Sequence, residues 1–240
     1  HRLRLGPIER LPYLARQRRI VTHRLGIVDP GSLGDYLAHG GGRGLEHARR
    51  LRPAEIVEAV TDSGLRGRGG AAFPAGIKWR TVLDAAATPK YVVCNADEGD
   101  SGTYSDRMLM EGDPFGLIEG MAIAGLAVGA TRGYLYVRSE YPHAIARLEA
   151  AVAAAAPWLH EQSVDFAIEV RKGAGSYVCG EETAMLESIE GRRGQVRAKP
   201  PLPAVAGLFG RPTVINNVIT LASVPAILAE GAAGCRDHGV

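Results

Sequence analysis

From Pro53 onward, short β-branched or aromatic runs take turns with longer helix-patterned segments, and this alternation constrains the fold more than anything else in the chain. "RPAEIVEAVTDSG" predicts a helix with Pro53 in its first turn, Ile56, Val57 and Val60 on one face, and Gly64 as its stop. "YVVCNADEG", at 91–99, predicts a short buried strand running into a polar turn. Asp113 and Pro114 make an N-cap and first-turn pair for a long helix to about Ala130. "GYLYVR" predicts a strand, and Pro142 opens an alanine-rich helix expected to end before Pro157. Phe166, Ile168 and Val170 alternate with polar residues in a further strand, and "AGSYVCGEETAMLESIEG" predicts a turn and then a helix closed by Gly191. After the proline-rich loop "AKPPLPAVAGLFGRP", "TVINNVITLASVPAILAE" predicts a last helix. The pattern implies an α/β fold with a largely parallel sheet flanked by helices. Ligands in such sheets sit at the carboxyl ends of strands.

Composition narrows the function classes. A formal net charge of +2 over 240 residues gives no global reason to bind nucleic acid or anionic lipid. The longest apolar run, "MAIAGLAVGA" at 121–130, is well short of a bilayer span, so a soluble, cytoplasmic protein without membrane insertion is expected. Cys94, Cys179 and Cys235 lie far apart with no C-x-x-C pair, so they build neither a disulfide framework nor a zinc or iron–sulfur cage alone. Residues 1–50 are basic, with seven arginines in the first 24 positions against Glu9 alone. They are expected to be an extension that wraps over the domain or docks a partner; RNA binding is the weaker reading, because few aromatics interleave the arginines. Residues 51–230 are expected to form the domain proper, and 231–240 to begin a further region of a longer protein.

Three polar turns carry the chemistry. "SGLRGRGGAAFPAGIKW", at 63–79, spends five glycines and three cations on 17 positions, which suits backbone lying close to an anion. It matches G-x-G-x-x-[GA] through Gly67, Gly69 and Ala72, but follows a helix rather than a strand, and no G-K-[ST] closes it. "NADEGDSGTYSDR" gathers Asp97, Glu98, Asp100 and Asp106 near Asn95. A divalent-cation loop, ribose or heterocycle binding, and a solvated acidic turn are all open there, although the spacing is not that of an EF-hand. "CGEET" sets Glu181 and Glu182 where a helix begins, which the helix dipole favours with or without a ligand. Asn216 and Asn217 suit an N-cap that also offers donors to a phosphate. With no obvious proton shuttle, hydride transfer on a bound cofactor fits best.

Taken in order, "GLRGRGGAAFPAGIKW", "NADEGDSGTYSDR", "GAGSYVCGEETAMLESIEG", "AKPPLP" and "GRPTVINNV" resemble the flavin-binding, NADH-oxidising subunits of respiratory complex I, NAD-reducing hydrogenases and NAD-dependent formate dehydrogenases. The finer pattern is most similar to the formate dehydrogenase β subunit. The resemblance implies a Rossmann-like FMN-binding domain that passes hydride between NAD(H) and FMN, and electrons onward to iron–sulfur centres. It implies that Gly67, Arg68, Gly69, Gly70 and Lys78 surround the FMN phosphate and ring edge, and that Asn95, Asp97 and Glu98 line the flavin. Tyr177, Gly180, Glu181 and Glu182 would border flavin and nicotinamide, Asn216 and Asn217 would hold the ribityl phosphate end, and Phe73 and Lys199 would approach the dinucleotide. Glu98 and Glu182 are the carboxylates expected to orient the nicotinamide. Asp100, counted with the cofactor residues, stands where complex I relatives carry glutamate, and Leu202 where they carry phenylalanine. No metal site is expected in this chain; a [4Fe–4S] cluster belongs to the full-length subunit, and the partners are subunits carrying iron–sulfur clusters. A nucleotide-binding assembly module without catalysis is the rival reading.

Overall fold

The computed structural model describes Gly6 and residues 10–236; Arg2, Arg4, Glu9 and the last four residues, on which part of the terminal-region expectations falls, lie outside the described residues. Four strands form one parallel sheet: β1 (Tyr91–Ala96), β2 (Arg132–Val137), β3 (Ala167–Lys172) and β4 (Thr213–Asn217), in the order β3-β2-β1-β4. The chain thus steps outward from β1 to β3 and then returns to the far side of β1. A gap opens at that reversal, beyond the carboxyl ends of β1 and β4, where Asn95 stands opposite Asn217.

Period-two alternation divides the sheet between two apolar clusters. Val92, Cys94, Ala96, Leu135, Val137 and Val214 face the main core, whereas Val93, Tyr134, Tyr136 and Ile215 face a smaller cluster with Met185, Leu186 and Ile189 of α8 (Glu182–Ile189). The main core is built on α6 (Pro114–Val128), which is buried on nearly every side because Glu119 is its only charged residue. Asp113 caps it through the Gly116 N–H, and Gly129 ends it in a left-handed conformation. Helix α10 (Val218–Glu230) crosses α6 so closely that a Cβ at Gly120 would lie 2.0 Å from the Leu221 carbonyl oxygen. Only glycine permits that approach. Helices α3 (Pro53–Asp62), α4 (Ala75–Asp84), α5 (Ser105–Gly112) and α7 (Pro142–Glu161) complete the layers.

Packing crosses the division drawn at residue 50. Helices α1 (Leu33–Ala38) and α2 (Arg43–Ala48) send Tyr36, Leu45 and Ala48 into the main core. Glu119 holds them there: its carboxylate accepts from the Tyr36 hydroxyl and from the N–H groups of Gly42 (2.7 Å) and Leu45 (2.8 Å). A fully buried carboxylate persists only with such a set of donors.

Two sequence expectations need correction. Helix α7 does not stop before Pro157 but runs through it to Glu161. Proline removes the N–H that would bond the Ala153 carbonyl, yet Ala153 and Pro157 both lie on the exposed face, while Trp158 and Leu159 pin the last turn to the core. Residues 213–217 are not the start of a helix but β4, whose Val214 and Ile215 fill opposite faces of the sheet. The last long helix begins only at Val218.

Replacing Glu119 with alanine would strand two buried donors, the Tyr36 hydroxyl and the Leu45 N–H, and the half-buried Gly42 N–H. A loss of about 3 kcal/mol is expected, read as a lower urea midpoint, with α1 and α2 exchanging amide hydrogens earlier than the sheet.

Candidate functional site

Two cavities meet at the reversal of strand order. The first, of 540 Å³, is lined by Gly67, Gly69, Phe73, Lys78, Asn95, Gly180, Glu181, Glu182, Lys199, Asn216 and Asn217. The second, of 690 Å³, is lined by Arg68, Gly69, Gly70, Asn95, Asp97, Glu98, Asp100, Tyr177, Gly180, Glu181 and Asn217. They share Gly69, Asn95, Gly180, Glu181 and Asn217. Every residue that the resemblance assigns to the cofactors therefore lines one or both. Each volume suits a small-molecule pocket, which commonly spans about 300 to 1,000 Å³.

The glycine-rich bend forms the wall between the cavities. Its ends are closed by the Gly67 N–H to the Phe73 carbonyl (2.9 Å) and by a bridge between Arg66 and Pro74. Its tip is exposed main chain: Gly69, Gly70 and Ala71 carry at most a methyl group, and Gly70 has φ +105°. The bend is tied to α10 by the Arg68 N–H on Thr220 Oγ1 (2.9 Å), and a Cβ on Gly69 would sit 3.3 Å from the Asn217 Cβ.

Strand ends supply the floor. Asn95 donates to the Gly180 carbonyl (2.8 Å) and accepts from the Asp97 N–H (3.2 Å), joining β1 to the 3-10 turn Tyr177–Gly180. Asn216 accepts from Trp79 Nε1 (2.8 Å), so α4 fixes its amide. The Asn217 side chain is the N-cap of α10, as its position in the sequence suggests, with Oδ1 accepting from Ile219 N–H (2.8 Å) and Thr220 N–H (3.4 Å).

Cations gather at the first cavity. Lys78 donates to the Ile215 carbonyl (2.8 Å) and lies 3.7 Å from Glu182; burial lowers its pKa, against the pull of Glu182. Lys199 bridges Glu181 (2.9 Å) and Glu182 (2.8 Å). Burial disfavours charge on Glu181, but bonds from Thr183, Lys199 and the N–H groups of the α8 first turn outweigh it and hold the carboxyl at about 2. The aromatic rings of Phe73 and Tyr177 stand exposed at the rims, the latter bonded to Asp100 (2.9 Å).

Glu98 is placed differently from its expected role. Its carboxylate accepts from the Ser105 hydroxyl and the Asp106 N–H on one oxygen, and from the Arg107 N–H and the Tyr141 hydroxyl on the other. That occupies it in holding the start of α5, leaving Glu182, paired with Lys199 and near Lys78, as the acidic edge of the first cavity. Among the described residues no group of three or more His, Cys, Asp or Glu side chains is placed to share a metal ion. Asp106, noted in the sequence only as one acid of that turn, is buried in the second cavity's wall, and Ile215 of the unrecognised strand lines the first.

Against this geometry, residues 60–226 match the Nuo51 FMN-binding domain. The chain belongs to that family. It is 50% identical over 223 residues to the NADP-reducing hydrogenase protein HndC of Solidesulfovibrio fructosivorans, covering 90% of this chain and 45% of that one. It is likewise 50% identical over 231 residues to an NADH-quinone oxidoreductase subunit of Rhizobium meliloti (strain 1021), covering 92% and 54%. The crystal structure of an NAD⁺-reducing [NiFe]-hydrogenase in the H₂-reduced state superposes with a TM-score of 0.78 at 41% identity, covering 96% of this chain and 39% of its match. The chain spans about half the length of the curated relatives it matches. The site of this Nuo51 FMN-binding domain fits the cofactor in the family's name: a wall whose tip is exposed main chain, cations at one end and flat rings at the rim.

Replacing Trp79 with phenylalanine leaves the Asn216 acceptor unpaired and should cost about 1–2 kcal/mol in thermal or urea unfolding. Burial raises Asp97 to about 6, against Arg138, and raises Asp106 to about 7, with Glu98 adding to the effect. Acids raised on folding stabilise the protein at low pH and lose that contribution as pH climbs through the folded pKa. The thermal midpoint should therefore fall between about pH 4, the ordinary aspartate value, and about pH 7, and level off above it, and Asp97→Asn should flatten the lower part of that fall.

Proposed function

We propose that the chain is the flavin-binding part of an NAD(H)-dependent oxidoreductase, with FMN in the paired cavities and NADH entering beside Phe73 and Lys199. The observation that carries this reading is the convergence of every residue that the resemblance assigns to the cofactors on two joined cavities at the strand-order reversal, in a Nuo51 FMN-binding domain. FMN held there would supply two-electron acceptance from NADH and one-electron release toward an iron–sulfur acceptor.

The residues of the chain bind and orient. The bend at Gly67, Arg68, Gly69 and Gly70 offers main-chain contact along a flat ring and toward a phosphate. Lys78, held by Ile215 and poorly solvated, would present a cation to negative charge developing on a flavin held in the first cavity. Glu182, fixed by Lys199 and facing Lys78, is the acidic edge that orients the nicotinamide, since Glu98 is committed to α5. Asn95 and Gly180, joined by their hydrogen bond, would form the floor beneath a bound ring.

The remaining features are proposals by family likeness: a [4Fe–4S] cluster in the full-length protein, partner subunits carrying further clusters, and a cytoplasmic location. Among the described residues no helix is long and apolar enough to cross a membrane. The formate dehydrogenase branch rests on the sequence blocks alone; the relatives described above are named for a hydrogenase and for NADH-quinone oxidoreductase.

Added FMN should bind with shifted flavin absorbance bands, and those bands should bleach anaerobically on NADH addition. Lys78→Met should weaken FMN at least about tenfold, in line with loss of a charge-assisted contact, and Glu182→Gln should slow bleaching with little change in FMN affinity. Absence of flavin binding refutes the reading, and binding without bleaching favours a nucleotide-binding assembly module instead.

A further inference from the structure

Asp106 has a place in the site that the cofactor-binding reading leaves unexplained. It is 4% exposed, in the first turn of α5 and the wall of the second cavity. Its Oδ2 accepts from Asn217 Nδ2 (2.6 Å), whereas its Oδ1 is buried with no hydrogen-bond partner among the described residues. Among those residues no cation pairs with it either.

That contact fixes the Asn217 amide. Oδ1 of Asn217 caps α10 only when Nδ2 points the other way, toward Asp106. Asn217 in turn abuts Gly69, and Thr220 of the same first turn anchors the Arg68 N–H. Asp106 therefore acts on the junction between the glycine-rich bend and the amino end of α10, where the exposed main chain at Gly69 and Gly70 and the helix dipole suit a phosphate, the Ile219 and Thr220 N–H groups being taken by the Asn217 cap.

We propose that Asp106 is a positioning residue for the flavin phosphate: it orients Asn217 and so sets the bend-to-α10 junction, and its ionisation weakens the hold of that junction on an anion. This rests on the FMN reading above. The groups facing Asp106 make its charge state responsive. Glu98, from the turn after β1, adds like charge; Cys94 of β1 is a buried thiol pushed up by burial; and Tyr141, at the start of α7, spends its hydroxyl on Glu98 rather than on Asp106. Burial first, and Glu98 second, raise the Asp106 carboxyl to about 7, with the Asn217 amide opposing. Near neutral pH, then, a negative charge appears or vanishes beside the α10 amino end.

The test is FMN affinity between about pH 6 and pH 8.5 in the intact protein carrying this chain, with Asp106→Asn and with riboflavin as the phosphate-free probe. Wild type should bind FMN about tenfold more weakly at the upper pH, the effect of one unit of coupled pKa. Asp106→Asn keeps an acceptor for Asn217 without the charge and should show no such weakening, and riboflavin should show little in either protein. An identical pH slope in wild type and variant, or the same slope with riboflavin, overturns the inference while leaving FMN binding intact. Absence of saturable FMN binding at any pH overturns the functional reading with it. Should the variant fail to fold, calorimetry of wild type at pH 7.5 in two buffers of different ionisation enthalpy decides the matter. Uptake of part of a proton on FMN binding supports the inference and zero uptake overturns it, since the FMN phosphate is by then almost fully ionised.

Discussion

Strands β1 and β4 run parallel with Asn95 opposite Asn217, and the whole candidate site hangs from that register. A slip of β4 by one residue would turn Ile215 into the main core and swing Asn217 away from the gap and from Asn95. The register also decides where α10 starts, because Asn217 is at once the last residue of β4 and the cap of the helix. Through Thr220 and the Asn217 Cβ, that start positions the glycine-rich bend. One backbone pairing thus locates the floor, the helix end and the main-chain wall together.

The charges are arranged in the same economical way. Lys78 and Lys199 share Glu182, and Glu181 is held ionised by the first turn of α8, so the cavity presents ordered, partly desolvated charge rather than mobile surface ions. Interactions in such surroundings are stronger than in water and need no rearrangement when charge develops on a ligand. A chain-distant anchor supports this: Glu119 locks α1 and α2 over α6, and α6 carries α10 at the Gly120 crossing. The amino-terminal segment is in this sense part of the scaffold that holds the site.

Much of this is legible in the sequence, and the parts that are not share a cause. Helices α3, α6 and α8 and strands β1 to β3 follow from local periodicity, capping and glycine stops, all of which act within a few residues. Strand β4 is hidden because Val214 and Ile215 continue smoothly into the apolar pattern of α10, and only pairing with β1, more than a hundred residues earlier, makes them a strand. Tyr36 and Leu45 read as part of a basic extension because their partner Glu119 lies far along the chain. Motifs point to the residues that line the two cavities but not to how they are bonded there: that Glu98 is spent on α5 and Asp106 on Asn217 depends on hydrogen bonds no spacing rule supplies.

A crystal structure of the full-length protein grown with FMN tests the central claim most directly. The account predicts flavin density in the paired cavities, the phosphate at the junction of Gly69 and the amino end of α10 and the ring lying along the bend above Asn95 and Gly180. Flavin bound elsewhere, or a bend in contact with nothing while the flavin is fully occupied, would contradict it.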